Sequence, residues 1–199
     1  MIAYVYSIRY SGLMERGEKR EKSRDARAKP LSFTKDNGRP TQALPEFRVL
    51  LHNIRSTHNV GSMFRTADAA GISHVYISGY TPSPLDRFNR KQKDIAKTAL
   101  GAEYSVPWSK AGVVKKLVAE LKIQGFAVVA LEQSERSVDY KKVKLGKKVL
   151  FIIGNEVKGI SPELLRLADV VAEIPMKGEK ESLNVSVAFG VAIFQMIGI

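Results

Sequence analysis

Short, wholly apolar runs alternate with amphipathic ones from residue 46 to the C-terminus, and this alternation limits the fold more than any other feature. Phe126-Ala127-Val128-Val129-Ala130-Leu131 is too short for a buried helix and offers no polar face, as in a strand covered on both sides. Phe47 to Leu51 and Lys147 to Ile153 read as strands of the same buried kind. Ser73 to Ser78 and Val170 to Ile174 add two more. Between them, Val113 to Ile123 sets Val114, Leu117, Val118 and Leu121 on one helical face and Lys115, Lys116, Glu120 and Lys122 on the other, with Gly125 as its stop. Ile95 to Leu100 predicts a short helix ended by Gly101-Ala102-Glu103, Trp108 after Pro107 a core or edge anchor, and Glu132 to Tyr140 a polar loop. Strands and helices in this order predict an α/β fold with a mostly parallel sheet covered by helices. In such sheets ligand groups gather beyond the carboxyl ends of strands, which here means Leu131, Gly154 and Ile174.

Three polar stretches follow strand ends. The last, Ile174 to Ala188, reads as a strand end, a tight loop and a helix start. Pro175 has no N–H for a ladder, and Ser182 is placed as N-cap, leaving the amides of Leu183, Asn184 and Val185 turned into the loop. Backbone groups of such a loop can hold a small ligand. The second, Gly154-Asn155-Glu156-Val157-Lys158-Gly159-Ile160, sets two glycines around an acid. It marks either close backbone approach to a ligand or a tight turn. Ser161 with Pro162 then opens a helix. The first, His52 to Gly71, predicts a helix with Asn59 as N-cap, Val60, Met63, Phe64 and Ala67 inward, and Gly71 as stop. Arg65 falls at the edge of that apolar face, an ordinary place for a solvated charge.

Taken as strings, the three stretches are specific. Asn59…Gly61…Arg65-Thr66-Ala67, Gly154-Asn155-Glu156…Gly159-Ile160 and Ile174-Pro175-Met176…Gly178…Ser182-Leu183-Asn184-Val185-Ser186-Val187-Ala188 resemble, in order, the three signature motifs of the SpoU (TrmH-like) RNA methyltransferases. These enzymes form part of the knotted SPOUT class. The resemblance spans about 150 residues. It implies a deep C-terminal trefoil knot, S-adenosylmethionine as cofactor, and methylation of a ribose 2′-hydroxyl in tRNA or rRNA. It assigns Arg65 a catalytic role at the ribose, Asn59 a supporting one, Glu156 a place near the substrate and Asn184 its positioning. Leu131, Gly154, Ile174, Met176, Ser182 and Leu183 would hold the cofactor. A guanidinium with pKa above ~12 is not an ordinary base. Arg65 therefore orients the 2′-oxygen and an adjacent phosphate by paired hydrogen bonds in this reading. No GxGxxG occurs, so the Rossmann layouts of other methyltransferases and dehydrogenases are not supported.

Charge points to the same partner class. A formal net charge of +12 favours a polyanionic partner, nucleic acid or an anionic membrane surface. With no Cys there is no disulfide, thiolate nucleophile or thiolate zinc site, and His52, His58 and His74 lack metal-ligand spacing, so no metal is expected. No apolar run reaches the ~18 residues of a membrane span. The expectation is a soluble, cytoplasmic protein. Between Met14 and Pro40 there are nine Lys or Arg against five acids and little helical periodicity. Residues 1–45 are thus expected as a basic, flexible arm, with Met14 as an alternative start, and 46–199 as the methyltransferase-like domain. Arg87, Arg90, Lys91 and Lys93 around Phe88 form a basic patch with one aromatic, and with Arg55 they are the candidate RNA contacts. Val185 to Ile197 is apolar nearly all round and needs burial on every side, which a homodimer would supply. Two other readings are an RNA binder that kept the fold without activity and a base-modifying SPOUT enzyme. Intact Arg65, Glu156, Ser182 and Asn184 count against the first, and the ribose-branch strings against the second.

Overall fold

The computed structural model describes residues 45–199. The basic arm expected over residues 1–45 falls, but for Pro45, outside them. The described strands are β1 (Glu46–His52), β2 (His74–Ser78), β3 (Trp108–Lys110), β4 (Ala127–Leu131), β5 (Val138–Asp139), β6 (Lys148–Ile153) and β7 (Val170–Glu173). They form one sheet in the order β3-β2-β1-β6-β4-β7-β5, and every neighbouring pair is parallel. The helices are α1 (Thr57–Ala69), α2 (Lys93–Ala99), α3 (Ala102–Ser105), α4 (Val114–Ile123), α5 (Pro162–Leu165) and α6 (Val185–Ile197).

Register explains why the central strands are apolar throughout. β1 lies against β6 from Glu46 beside Lys148 to Leu51 beside Ile153. Alternate residues then enter two separate cores. Val49, Leu51, Phe151 and Ile153 pack with Val60, Phe64, Ile95, Phe189 and Ile193 from α1, α2 and α6. Leu50, Leu150, Ile152, Val128 and Ala130 pack with Val118, Leu121 and Leu164 from α4 and α5. Each fully buried Leu, Ile or Phe contributes about 1.5–3 kcal/mol. Burial on both faces, rather than strand propensity, holds strands this short.

The elements differ from the sequence expectation in five places. The N-cap of α1 is Ser56, not Asn59: the Ser56 hydroxyl accepts from the Asn59 amide, which leaves the Asn59 side chain free for other work. The N-cap of α6 is Asn184, not Ser182: Asn184 Oδ1 accepts from the amides of Ser186 and Val187. The residues Gly101-Ala102-Glu103 do not simply end a helix. Leu100 takes a left-handed conformation and a new turn, α3, begins, with the Glu103 carboxylate accepting the Gly101 amide at 3.0 Å. The polar loop expected from Glu132 to Tyr140 contains β5, which pairs with Ala172 and Glu173. The fifth concerns α6, which buries Phe189, Ala192, Ile193 and Met196 but leaves Val187 and Val191 50% and 42% exposed.

Gly61 sets the approach of α2 to α1. A Cβ there would lie 2.0 Å from Thr98 Oγ1 and 2.4 Å from the Ile95 carbonyl. Its absence lets the Thr98 hydroxyl reach the His58 carbonyl at 3.2 Å.

Candidate active site

The loops leaving β4, β6 and β7 enclose a cavity of about 270 Å³ at the carboxyl edge of the sheet. Leu131, Gly154, Ile174, Met176, Ser182 and Leu183 all line it, although they come from three separate loops. The β6 loop closes on itself through paired bonds between Asn155 and Gly159, at 3.1 and 3.0 Å. Gly154 is needed for that closure, because a Cβ would lie 2.5 Å from Ile160 Cγ1 and 2.7 Å from the Gly159 carbonyl.

Glu132, Gln133, Asn155 and Glu173 also line the cavity, and sequence reasoning did not single them out. Glu132 accepts the Ile160 amide at 2.8 Å and the Gln133 amide at 2.9 Å, fixing the β4 loop to the β6 loop. Gln133 Nε2 donates to the Glu181 carbonyl at 2.8 Å and so holds the β7 loop. The buried Asn155 donates to the Asn53 carbonyl and the Tyr80 hydroxyl, both at 2.9 Å, while its Oδ1 accepts the amides of Val157 and Lys158. The only available signal was adjacency: Glu132 follows Leu131, and Asn155 lies inside the second motif. Among the described residues, three carboxylates (Glu132, Glu156, Glu173) line this cavity and no Lys or Arg does.

Glu156 joins the cavity to the start of α1. Its carboxylate accepts the Arg55 amide at 2.9 Å, the Ser56 amide at 3.1 Å and Asn59 Nδ2 at 3.0 Å. Burial alone would raise its pKa, but the Arg55 amide, the Asn59 side chain and the neighbouring backbone amides outweigh burial and hold it below the usual carboxylate value. Asn184 Nδ2 in turn donates to Asn59 Oδ1 at 3.2 Å. A chain Asn184–Asn59–Glu156 therefore links the three motif stretches. Arg55 takes part through its amide, while its side chain is exposed. Arg65 stands apart from this cavity: it is exposed and lines a shallow groove with Thr66, Lys97 and Phe194.

The other basic candidates gather on the segment between β2 and α2. The guanidinium groups of Arg87 and Arg90 lie 4.7 and 4.9 Å from the Phe88 ring centre. Lys91 lies 4.8 Å from the Tyr104 ring, and Lys93 is exposed at the start of α2. Asp86 organises the turn by accepting the amides of Phe88 and Arg90 at 2.8 and 2.9 Å and Arg90 Nε at 2.8 Å. The Arg90 amide and guanidinium with the Phe88 amide keep the Asp86 carboxyl below its usual pKa. Arg87, Phe88 and Arg90 border a second, more open cavity of about 530 Å³.

Residues 46–194 match the model of the SpoU rRNA Methylase family. The chain is 32% identical over 147 residues to the tRNA (guanosine(18)-2′-O)-methyltransferase of Aquifex aeolicus (strain VF5), covering 74% of this chain and 66% of that protein. To the enzyme of the same name from Escherichia coli (strain K12) it is 31% identical, over 76% of this chain and 62% of the other. Its structure resembles that of an AdoMet-bound rRNA methyltransferase from Sinorhizobium meliloti, with a TM-score of 0.68 and 32% identity over 76% of this chain and 55% of the other. The chain thus spans less than two thirds of the length of these relatives.

Proposed function

The chain belongs to the SpoU rRNA methylase family, and from that membership we propose that it transfers a methyl group from S-adenosylmethionine to a ribose 2′-hydroxyl of tRNA or rRNA. The observation that carries this reading is the first cavity, where residues from all three carboxyl-edge loops converge. Its chemistry fits the cofactor. A lining of three carboxylates without a cation suits a ligand bearing a positive sulfonium and an ammonium. Leu131, Ile174, Met176 and Leu183 offer apolar contact for an adenosine, with Gly154 and Ser182 beside them. When bound there, S-adenosylmethionine would supply an electrophilic methyl group and leave as S-adenosylhomocysteine, and the 2′-hydroxyl proton would pass to solvent. The C-terminal trefoil knot that membership implies would hold these loops together.

The remaining roles fall to the chain's own side chains. Glu156 is ionised at neutral pH and already accepts three N–H donors. It is a poor proton acceptor, and acts as a positioning residue that fixes the first turn of α1. Arg65 lies further along the same helix, exposed and free to turn toward RNA. It orients the 2′-oxygen and a neighbouring phosphate by paired hydrogen bonds, which lowers the entropic barrier to in-line attack. Asn59 and Asn184 hold the adjoining surface in place. The second partner is a copy of this chain. The bare strip of α6, Val187 and Val191, is the face that this copy covers. Val191→Glu is then expected to convert dimer to monomer in sedimentation velocity. A cytoplasmic setting, where such RNA is found, fits this activity, and among the described residues no helix is long and apolar enough to cross a membrane.

Labelled S-adenosylmethionine offered with separate tRNA and rRNA pools tests the proposal. Label is expected in one pool, reduced about 100-fold or more by Arg65→Ala, with cofactor affinity unchanged. Nuclease mapping should find cleavage blocked at the modified linkage, as a 2′-O-methyl requires. A base methyl would leave that linkage cleavable and overturn the ribose assignment. RNA binding with intact cofactor binding but no label in either pool would leave an RNA-binding role instead.

A further inference from the structure

The second cavity lies beyond β2, between the Gly79–Gln92 segment and the end of β3. Two large aromatics on its rim face solvent: Tyr80 is 58% and Phe88 61% exposed. Arg87 and Arg90 lie over the Phe88 ring and bring their charge to its faces. Lys110 adds a third cation and makes no ion pair with an acid among the described residues. The floor is polar but saturated. Thr81 Oγ1 accepts the Ile54 amide at 3.0 Å and donates to the Leu51 carbonyl at 3.1 Å, and Ser78 Oγ bonds His52 Nδ1 at 2.7 Å. Gln92 borders the cavity and makes no capping bond to α2.

An aromatic–guanidinium surface flanked by cations is the chemistry that receives an unstacked base and its phosphates. We propose that this cavity takes up one extruded, single-stranded nucleotide of the RNA substrate, with its base stacked on the Phe88–arginine unit. The inference rests on the RNA-methylating reading above and adds where the strand beside the modified residue is held. Arg87 and Lys110 meet the phosphates, and the Gln92 amide is the group that can address a base edge. Because the hydroxyls of the floor are already bonded, stacking dominates and base preference is slight. Tyr80 ties this site to the first: its hydroxyl accepts from Asn155, which lines the other cavity. A paired duplex cannot present a base here, so the site discriminates for single strands.

The experiment uses the full chain, without cofactor, and a random-sequence RNA decamer compared with a duplex of equal length. Phe88→Ala should weaken binding of the single strand about ten-fold and leave duplex binding unchanged. Phe88→Trp should retain wild-type affinity. Arg87→Ala and Lys110→Ala should each flatten the salt dependence of binding, which Phe88→Ala should not. Ultraviolet cross-linking with mass mapping should place the nucleotide on a peptide containing Tyr80 or Phe88. Equal losses on duplex and single strand, wild-type affinity in Phe88→Ala, or cross-links only elsewhere would each overturn the proposal. Because Phe88 is exposed, its removal spares the core, and an unchanged unfolding midpoint verifies this. None of these readouts needs methyl transfer. A protein that cross-links at Phe88 but transfers no methyl would sink the reaction and keep the site, and an active one with no such cross-link would do the reverse.

Discussion

Two cavities open along the same carboxyl edge of the sheet, and among the described residues one is lined by three carboxylates and no cation, the other by Arg87, Arg90 and Lys110 with Asp86 as its single acid. The loops supply most of the sign, with Glu173 at the end of β7 and Lys110 at the end of β3 adding to it. A misplaced like charge costs about 1 kcal/mol at 4 Å even in water. Separating the signs lets one edge hold a cationic small molecule and a polyanion side by side. The cavities also differ in how they are held. Bonds between residues about 100 apart, from Glu156 to Arg55 and Ser56, brace the first. The turn beside the second is organised locally by Asp86, within four residues.

The largest expected effect tests whether the two are independent. Gly154→Ala drives a methyl group into Ile160 and the Gly159 carbonyl, an overpacking worth about 1–3 kcal/mol. Calorimetry should show S-adenosylmethionine affinity falling by about 10- to 100-fold. Affinity for single-stranded RNA should hold, and an equal fall in both would mean one site rather than two. Next comes salt. Replacing both Arg87 and Lys110 by Ala should reduce the slope of log affinity for single-stranded RNA against log salt by about 1.4. Cofactor affinity should not respond to the substitutions.

The smallest effect concerns the brace. Glu156→Gln should cost about 1 kcal/mol at neutral pH, since its oxygens remain partly in water. The folded-state pKa of Glu156 lies below its unfolded value. Its stabilisation is therefore complete above the unfolded value, about 4.3, and is lost as pH falls through the folded one. Unfolding midpoints of wild type and variant should converge on acidification. A gap that stays constant into acid would show that packing, not the carboxylate, is what was lost.

The fold was legible wherever pattern is local. Runs such as Val128 to Leu131 and the face Val118–Leu121 carry their own period, and the structure follows it. Caps were harder because two good candidates stood close together. Ser56 and Asn59 both suit an N-cap, as do Ser182 and Asn184. A distant acid settled the first choice, since Glu156 takes the Asn59 amide group, and no spacing within residues 52–71 announces that. β5 is two residues long, too short for a period of two to show. Glu132 looked like the first residue of a solvated loop because its partner, the Ile160 amide, lies 28 residues on. Leu131 could be named as a strand end and the other cofactor candidates from the motif strings, but their convergence on one cavity, and the place of Arg65 outside it, are matters of tertiary placement.

The strand order has a consequence for how the chain emerges during synthesis. β6 lies between β1 and β4, yet it is made after both. Until Lys148–Ile153 leaves the ribosome, β1 has β2 along one side and bare amides and carbonyls along the other, and β4 lacks the neighbour on each of its sides. Two apolar sheet edges thus wait on one late strand, in a nascent chain open to wrong pairing with itself or its neighbours. Completion of β6 closes both edges in a single event. It also delivers Gly154 and Glu156, while the other side of β4 waits for β7, whose loop completes the cavity.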